Sequence, residues 1–342
     1  MKNVLLPMLL CLSVPVFSQI KIDSFFTLTG SVDMYFRYNL NSTNDATNGG
    51  SLAPATSFAN LPGFAMGMFN IVAKYEKGKT GFVTDLVFGP RGRDAVFNSP
   101  ASLNIVNQAY AYFKPNDKLT FTLGKFNTFL SYEVISPVLN YHYSTSYMFS
   151  FGPFNHAGLK ANYDLGKGFG VMAGIFNPTD YTDSNPDDVY YFGGQLSYVF
   201  GLGSVYLNTL LNKDYKQFDL TSSLKVSNTL NFGLHATTAS DFFSGIAVFS
   251  NLALIEGFSA GIRAEYFKDD GIGILDNGIE PTTTSNHVFD VTLSSNITIG
   301  QLRIIPEYRI DMYSDNLVLP DATSLLRKDN LSSLLVAAVY SF

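Results

Sequence analysis

Apolar and polar residues alternate along most of the chain with a period of two, which is the pattern of a β-strand whose two faces meet different surroundings. The segment 302–312 shows it clearly. One face carries Leu302, Ile304, Pro306, Tyr308, Ile310 and Met312, and the other carries Arg303, Ile305, Glu307, Arg309 and Asp311. Four charged side chains on one face of a single strand require water on that face. The segment 26–40 repeats the pattern, with Asp33 and Arg37 on its polar face.

Sixteen such segments can be counted between clusters of turn-forming residues. They lie at approximately residues 24–40, 63–76, 80–89, 102–114, 118–128, 156–165, 168–177, 188–199, 203–213, 216–226, 228–238, 242–254, 257–268, 286–298, 300–312 and 331–342. Short turns all fall at one end, and the longer connections fall at the other. Outer-membrane barrels show this arrangement with an even number of strands. We therefore predict an all-β fold, a transmembrane antiparallel β-barrel of about sixteen strands, with the count fixed to within two.

A soluble β-sandwich or propeller is the alternative fold. Its strands would average about 5–6 residues, whereas the segments here run to about 10–13 residues, near the roughly 9–11 needed to cross a bilayer with tilt. No segment after the first strongly apolar stretch approaches the roughly 18–20 consecutive apolar residues of a transmembrane helix. Helices and closed barrels are the structures that satisfy every backbone group in lipid, so we expect this chain to span the membrane with strands.

The first residues have the layout of a secretory signal peptide. Lys2 supplies a positive charge, residues 4–17 form an apolar stretch of 14 residues, and small Ser18 precedes Gln19. We predict cleavage after Ser18, so that 1–18 is the signal peptide and 19–342 is a single barrel domain. The only cysteine, Cys11, falls in the removed part, and the mature chain can then form neither a disulfide nor a thiolate metal site.

Composition supports a membrane barrel and argues against nucleic-acid binding. Charged residues make up 15% of the chain, against about 25% in a soluble domain. The chain also contains 20 Tyr and 30 Phe. Without Lys2, 21 basic and 28 acidic residues leave a net charge of −7. No basic tract could follow a phosphate backbone, and no motif implies a cofactor or a bound metal.

The chain ends in a segment whose apolar face carries Leu334, Val336, Ala338, Tyr340 and Phe342. A terminal phenylalanine with apolar or aromatic residues two, four and six positions before it resembles the assembly signal of bacterial outer-membrane proteins. We therefore predict location in the bacterial outer membrane, contact of the barrel with outer-membrane lipid, and recognition of Phe342 by the barrel-assembly machinery.

The connection 129–155 is the longest one and is unlike a solvated loop, because aromatic and apolar side chains are concentrated in it. Such a loop folds into the lumen, packs across the barrel mouth or meets a partner. It follows the fifth strand, and in sixteen-strand porins the third loop commonly folds inward and narrows the channel. We predict that 129–155 is a constriction loop, and the sequence leaves open whether it narrows or closes the lumen.

Motifs around this loop resemble a known family. They are Gly124-Lys125-Phe126, Tyr132-Glu133-Val134, Asn140, Tyr143-Ser144 and Gly152-Pro153-Phe154-x-His156-x-Gly158. Together they resemble the family named Putative beta-barrel porin-2 (OmpL-like) of bacterial outer membranes. Two positions depart from its pattern: Ser131 stands where members usually have Gly, and Thr145 stands where they often have Arg. The resemblance implies a porin whose solute is not identified, and an Arg lining the pore at position 145 would have made the constriction more favourable to anions.

The polar faces of the strands predict a lumen wall that carries both signs of charge. The candidate wall residues are Asp33, Arg37, Asn70, Lys74, Asp85, Lys160, Asp164, Arg263, Glu265, Asp290, Arg303, Glu307, Arg309 and Asp311. Because the signs are interspersed, counting them predicts no strong ion selectivity. Arg263, Arg303 and Arg309 lie on the strands that flank Asp290. They form either a basic ladder for anionic solutes or ion pairs that stiffen the wall, and we favour the ion pairs.

Tyr132, Glu133 and His142 are the constriction candidates of the loop, and Glu133 is its only acidic residue. One hypothesis makes Glu133 a constriction-zone charge near His142 or His156. The other makes it a carboxylate that anchors the loop, bound to backbone amides or to Lys125. The sequence does not separate the two.

The function that these features predict is that of a porin, with passive diffusion of small hydrophilic solutes through a polar lumen. We predict no enzyme, because the four histidines sit in no recognisable catalytic motif. A plugged transporter would carry a folded plug and about 22 strands. A non-conducting structural or adhesive barrel, sealed by the third loop, is the alternative. Analogy with sixteen-strand porins suggests a homotrimer.

Overall fold

The computed structural model describes residues 20–21, 23–45, 53–54, 56–186, 188–270, 275, 286–314, 319–321 and 324–342. The predicted signal peptide, residues 1–18, lies outside this part of the chain. Two short helices occur within it, α1 (Pro90–Ala95) and α2 (Tyr147–Phe151). No helix of the described residues is long and apolar enough to cross a membrane.

The period of two in the sequence corresponds to sixteen long strands. They are β1 (Phe26–Asn39), β2 (Gly63–Lys77), β3 (Thr80–Phe88), β4 (Val106–Phe113), β5 (Leu119–Asn127), β6 (Asn155–Gly166), β7 (Phe169–Phe176), β8 (Tyr191–Phe200), β9 (Gly203–Leu211), β10 (Lys216–Lys225), β11 (Leu230–Ala239), β12 (Phe243–Ile255), β13 (Phe258–Asp269), β14 (Asn286–Ile299), β15 (Leu302–Tyr313) and β16 (Asn330–Ser341). Each overlaps one predicted segment. The segment 102–114 differs most, because the residues before Val106 form turns, with the Leu103 amide donating to the Pro100 carbonyl at 2.8 Å.

The strands form one closed antiparallel sheet. Each strand pairs with its neighbours in sequence, and β16 pairs with β1. In the closing pair Val336 lies opposite Phe36, and the amides of Gly30 and Phe342 each donate to the other's carbonyl at 2.9 Å. Closure leaves no free edge in the sheet, as lipid requires. The predicted sixteen-strand barrel is confirmed, and the short strand Ile20–Lys21 adds to β1 outside this count.

Side chains alternate between an outer apolar face and an inner polar face. On β16, Leu334 and Val336 are 45% and 47% exposed, whereas the intervening Leu335 is 4% exposed. On β15 the alternation places Arg309 and Asp311 inside. Apolar side chains on the outer face suit lipid tails, so their exposure carries no hydrophobic cost in a membrane.

The two ends of the barrel differ in their connections. At one end, here called the turn end, reversals are tight: the β6–β7 turn has positive φ at Gly166, Lys167 and Gly168. A Cβ at Gly168 would lie 2.0 Å from the Val199 carbonyl oxygen, so glycine is required there. The opposite end, the loop end, carries loop 1 (40–62), loop 2 (89–105), loop 3 (128–154) and loop 4 (177–190) among its connections.

Loops 1, 2 and 3 pack together within the loop end of the barrel. Phe58 of loop 1, Ala95 of loop 2 and Phe149 of loop 3 are at most 2% exposed, and they share one apolar cluster with wall residues Met68 and Val87. A second cluster joins helix α2 to β12 and β13. Further clusters lie on β1, β15 and β16 and on β5, β7 and β9, so the buried apolar core lies between the loops and the inner wall around the barrel.

Candidate functional site

Loop 3 leaves β5, packs Phe129 against His156 of β6 and Phe176 of β7, and then contacts the inner wall on β10 and β12. The Ser131 amide donates to the Asp219 carboxylate at 3.3 Å. The Tyr132 ring stacks on the Phe249 ring, with centroids 4.3 Å apart. Because Asp219 and Phe249 belong to the buried inner face, this part of the loop lies within the barrel.

The middle of loop 3 reaches the turn end. The Tyr141 hydroxyl donates to Ser259 Oγ at 3.0 Å, and Ser259 is the second residue of β13. The Arg303 guanidinium donates to the Pro137 carbonyl, and Arg303 is the second residue of β15. Loop 3 therefore extends along the inside of the wall from the loop end to the turn end.

The returning part of loop 3 is fixed to the wall by two tyrosines. The Tyr143 hydroxyl donates to the Asp33 carboxylate of β1 at 2.5 Å. The Tyr147 hydroxyl donates to Asp311 of β15 at 2.9 Å and lies 3.0 Å from the Tyr313 hydroxyl. Both tyrosines are fully buried. Hydrogen bonds to charged groups contribute about 1.5–3 kcal/mol each, so these contacts hold the loop against β1 and β15.

The Glu307 carboxylate of β15 caps backbone amides of the loop. It accepts from the Tyr143 amide at 2.9 Å and from the Ser144 amide at 3.2 Å. Loop amides buried away from water need hydrogen-bond acceptors, and the Glu307 carboxylate accepts from two of them.

Glu265 of β13 does the same for helix α2. Its two carboxylate oxygens accept from the amides of Tyr147 and Met148, both at 2.8 Å. Ser146 is the N-cap of the helix, and its hydroxyl accepts from the Phe149 amide at 3.1 Å. First-turn amides have no partner within a helix, and a carboxylate beside them is also favoured by the helix dipole.

Glu133 anchors loop 3 rather than facing open solvent. It is 4% exposed, accepts from the Ser146 amide at 2.8 Å and pairs with Arg263 at 3.0 Å. These contacts correspond to the hypothesis that Glu133 anchors the loop by binding backbone amides. Lys125 is not the partner, since its Nζ lies 2.7 Å from Thr182 Oγ1 of loop 4.

The arginines of β13 and β15 form ion pairs across β14. Arg263 lies 3.0 Å from Asp290, and Arg309 lies 2.9 Å from Asp290 and 2.6 Å from Asp311. Each also donates to a loop 3 carbonyl, those of Ser144 and Thr145. Arg263 and Arg309 therefore form ion pairs with the wall carboxylates, whereas Arg303 donates a hydrogen bond to the backbone of loop 3.

The structure places all fourteen candidate wall residues on the inner face of the strands. Arg37 is buried beside loop 1 and borders a small solvent-connected space of about 260 Å³ with Glu307 and Arg309. Lys160 is partly exposed, with its Nζ 3.9 Å from the centroid of the Phe126 ring. Asn70 donates to Asp85 within a buried amide cluster.

Arg91 of helix α1 is a loop-fixing residue that the sequence analysis missed. Its Nε donates to the Ile135 carbonyl at 2.7 Å and its Nη1 to the Tyr143 carbonyl at 3.1 Å. Its guanidinium also lies 4.5 Å from the Phe58 ring centroid. Arg91 thereby links loops 1, 2 and 3. The sequence gives no periodic signal for a loop residue such as Arg91.

Two buried titratable groups lie in loops. Burial, together with the neighbouring Arg263, holds the pKa of His142 well below its usual value, and its Nδ1 lies 2.8 Å from Ser294 Oγ. Burial raises the pKa of Asp180 in loop 4 to about 7. Within the described residues no group of three His, Cys, Asp or Glu side chains is arranged to hold a metal ion.

The partly exposed side chains in the middle of loop 3 are uncharged. They include Tyr132, Val134, Ser136, Val138, Leu139 and Tyr141. A small space connected to solvent lies between loop 3 and β12, bordered by Tyr132, Glu133, Leu139, Tyr141, His142 and Asn251. Partly exposed inner residues also occur on β2, β4 and β6, away from the anchored side.

Comparison with known proteins identifies the family of this chain. The family model described as "Putative beta-barrel porin-2, OmpL-like" matches residues 25–342. The chain belongs to this family. It is a porin-type β-barrel of the bacterial outer membrane, and the motifs noted around loop 3 fall within the matched range. A comparison with curated protein sequences finds no match.

Solved porin structures share the fold at low sequence identity. OprB of Pseudomonas putida aligns with a TM-score of 0.63 and 12% identity, covering 94% of this chain and 95% of that one. The channel DcaP of Acinetobacter baumannii gives 0.61 and 14%, covering 93% and 97%. The trimer form of Vibrio cholerae OmpT gives 0.58 and 12%, covering 93% and 99%. Each match covers nearly the whole barrel.

Proposed function

We propose that this chain is a passive diffusion pore for small hydrophilic solutes, and that solutes pass between loop 3 and the part of the wall that the loop leaves uncovered. The observation that carries the proposal is the one-sided anchoring of the middle of loop 3, residues 131–148. The hydrogen bonds of this part to the wall go to β1, β10 and β13–β15, for example from Tyr143 to Asp33 and from Tyr147 to Glu265. Inner residues on the other side keep contact with solvent, including Lys74 at 35% side-chain exposure.

The proposed aperture is neutral on one side and polar on the other. Loop 3 contributes partly exposed neutral side chains such as Val134, Ser136 and Leu139, and the opposite wall contributes side chains such as Lys160. Such a boundary lets water-solvated solutes pass without binding tightly, and a diffusion pore requires binding weak enough for release. We propose that Glu133 and His142, both buried, act on the aperture only by holding loop 3 in place.

Conductance of single molecules tests the function. Purified protein added to a planar lipid bilayer should produce discrete conductance steps in 1 M KCl, and liposomes containing it should swell in small sugars. The matched control is a preparation unfolded by heat before addition. If folded protein inserts, as judged by protease protection of the barrel, yet no steps occur, the diffusion proposal fails.

A second candidate is a non-conducting structural or adhesive barrel. The packing of Phe58, Ala95 and Phe149 into one buried cluster favours it, because loops 1, 2 and 3 together fill part of the loop end. The same bilayer experiment separates the two, since a barrel sealed at the loop end inserts without conducting.

We propose further that the barrel forms a homotrimer, that the residues 1–18 are cleaved on export, and that Phe342 is read by the barrel-assembly machinery. The outward side chains of β16 and the bond between Gly30 and Phe342 support a terminal strand presented as an edge before closure. Native mass spectrometry and N-terminal sequencing of protein extracted from membranes test the first two. Deletion of Phe342, followed by measurement of barrel assembly, tests the third.

We also propose that the chain has no enzymatic role. His235 pairs with Asp219 at 2.7 Å, which resembles half of a catalytic site. The Asp219 carboxylate, however, also accepts from Asn208 at 2.8 Å and from the Ser131 amide, as expected of a group that fixes the loop. Absence of lipid or peptide hydrolysis by conducting protein would support this proposal.

A further inference from the structure

We propose that the pore prefers small anionic solutes, because the ionised groups that a solute can reach in the lumen are mainly basic. This inference rests on the proposed diffusion function and names its solute class. It depends on exposure rather than on the number of charges, because counting all inner-face charges indicates no preference.

The acidic residues of the inner face are withdrawn from solvent. Asp33, Glu265, Asp290 and Asp311 are each at most 1% exposed, and Glu307 is 4% exposed. Most of their oxygens accept from loop amides, tyrosine hydroxyls or the two paired arginines, as in the bonds of Glu265 to loop 3. Apart from Glu307, which borders the small space beside Arg37, these carboxylates are therefore separated from a solute in the lumen.

Basic residues stay in contact with solvent from the middle of the barrel to the turn end. Those on or next to the inner faces of the strands are Lys160 at the middle of β6, and Lys74, Lys114, Lys225 and Arg303 nearer the turn end. Lys74 and Lys114 have side-chain exposures of 35% and 30%. Among the described residues, no carboxylate lies within 4 Å of the charged group of Lys160 or Arg303.

Among the described residues, two carboxylates lie on the inner faces of the strands in this region, and both accept hydrogen bonds from neighbouring groups. Glu76 is held by Lys74 at 3.2 Å and Lys114 at 2.7 Å, and by the Tyr112 hydroxyl at 2.6 Å. Asp164 accepts from the Gly166 amide at 2.7 Å. Five cations against two carboxylates leave this part of the lumen with a net positive charge.

Lys160 and Arg303 lie on nearly opposite walls. Lys160 is on β6 and Arg303 is on β15, and seven of the sixteen strand-to-strand steps around the barrel separate them. A solute that crosses from the middle of the lumen to the turn end therefore passes two cations without carboxylate partners, first Lys160 and then Arg303. Charges that line a narrow, low-dielectric passage concentrate counter-ions much more than the same charges on an open surface.

Acidic groups also occur on the exposed loops, such as Asp183, Asp188, Asp214 and Asp241. They lie at the loop-end surface, where salt screens charges beyond about 10 Å at 0.1 M ionic strength. Their effect on a solute inside the lumen is therefore smaller than that of the turn-end cations.

Reversal potentials in planar bilayers test the inference. Under a KCl gradient, wild-type protein should show a chloride-to-potassium permeability ratio of about 2 or more. The variants K160Q and R303Q should each lower it, and the double variant should bring it to about 1. R303K, which keeps the charge, should retain the wild-type ratio. The matched control is K216Q, which removes an exposed lysine at the loop end and should change nothing.

The outcomes separate this inference from the function on which it rests. Absence of conductance overturns the proposed function itself. A conducting pore that prefers potassium, or one whose ratio is unchanged in the double variant, leaves the diffusion function standing and overturns the anion preference. A ratio that falls as much in K216Q as in K160Q would assign selectivity to the surface rather than the lumen, and would also overturn it.

Discussion

The carboxylate of Glu265 accepts the amide of Tyr147 at 2.8 Å, so a strand of the wall caps a helix that belongs to a loop. The second oxygen of Glu265 caps the next amide at the same distance. A carboxylate placed on the inner face of β13 thus determines where loop 3 ends its path through the barrel.

Replacement of Glu265 by Ala should release helix α2 from the wall. Two buried amides would lose their charged partner, at a cost of about 2–5 kcal/mol in the free energy of unfolding. The freed loop should admit larger sugars in liposome swelling and make single-channel currents noisier. The control E256A removes an exposed carboxylate from a turn. Equal swelling rates for wild type and E265A would contradict this role.

The variant E133Q should leave ion selectivity unchanged, because Glu133 faces Arg263 and the Ser146 amide rather than the aperture. It should lower the free energy of unfolding by about 1–3 kcal/mol, since the ion pair with Arg263 is buried. Reversal potential and urea unfolding in detergent measure the two effects. A shift of the reversal potential towards anions, with unchanged stability, would instead make Glu133 a constriction charge.

The pH dependence of stability should include a contribution from Asp180. Burial raises its pKa to about 7 in the folded chain, above the roughly 3.9 of an unfolded aspartate. The protonated form is therefore favoured by folding. The corresponding stability is fully present below about pH 4 and is lost as pH rises to about 7, by about 2–4 kcal/mol. Unfolding curves of the variant D180N should show no such loss of stability between pH 4 and 8. If the stability of wild type and D180N changes with pH in the same way, Asp180 is not the group responsible.

Replacement of Arg91 by Ala should loosen loops 2 and 3 together. The carbonyls of Ile135 and Tyr143 would lose a charged donor, and Phe58 would lose its stacked guanidinium. We expect a loss of about 2–4 kcal/mol in stability and faster proteolysis of both loops. R93A, at a largely exposed arginine of the same helix, is the control and should behave as wild type.

The sequence alone was sufficient to predict the wall. A period of two assigns each strand residue to one face, so Arg309 and Asp311 could be placed inside before any contact was known. Adjacent strands then bring Arg263 close to Asp290, and their ion pair follows from topology.

The loop contacts could not be predicted in the same way. No period relates Arg91 to Tyr143, which are 52 residues apart and meet only after two loops enter the barrel. Lys125 is another example. It follows Phe121 and Leu123 on the outer face of β5 and contacts loops 2 and 4 instead of Glu133, which lies close to it in sequence.

The pairing of β16 with β1 has a consequence for how the protein is made. Ser341 lies opposite Ser31, so the seam joins the first and last strands. Every other pair joins strands that follow one another in the chain, and such pairs can form as the chain emerges. The seam must wait for the final residues, which makes it the contact with the largest loop-closure cost. Until then the nascent sheet has two unpaired edges, and in a chain that ends before residue 330 the edge of β1 opposite β2 has no strand to pair with.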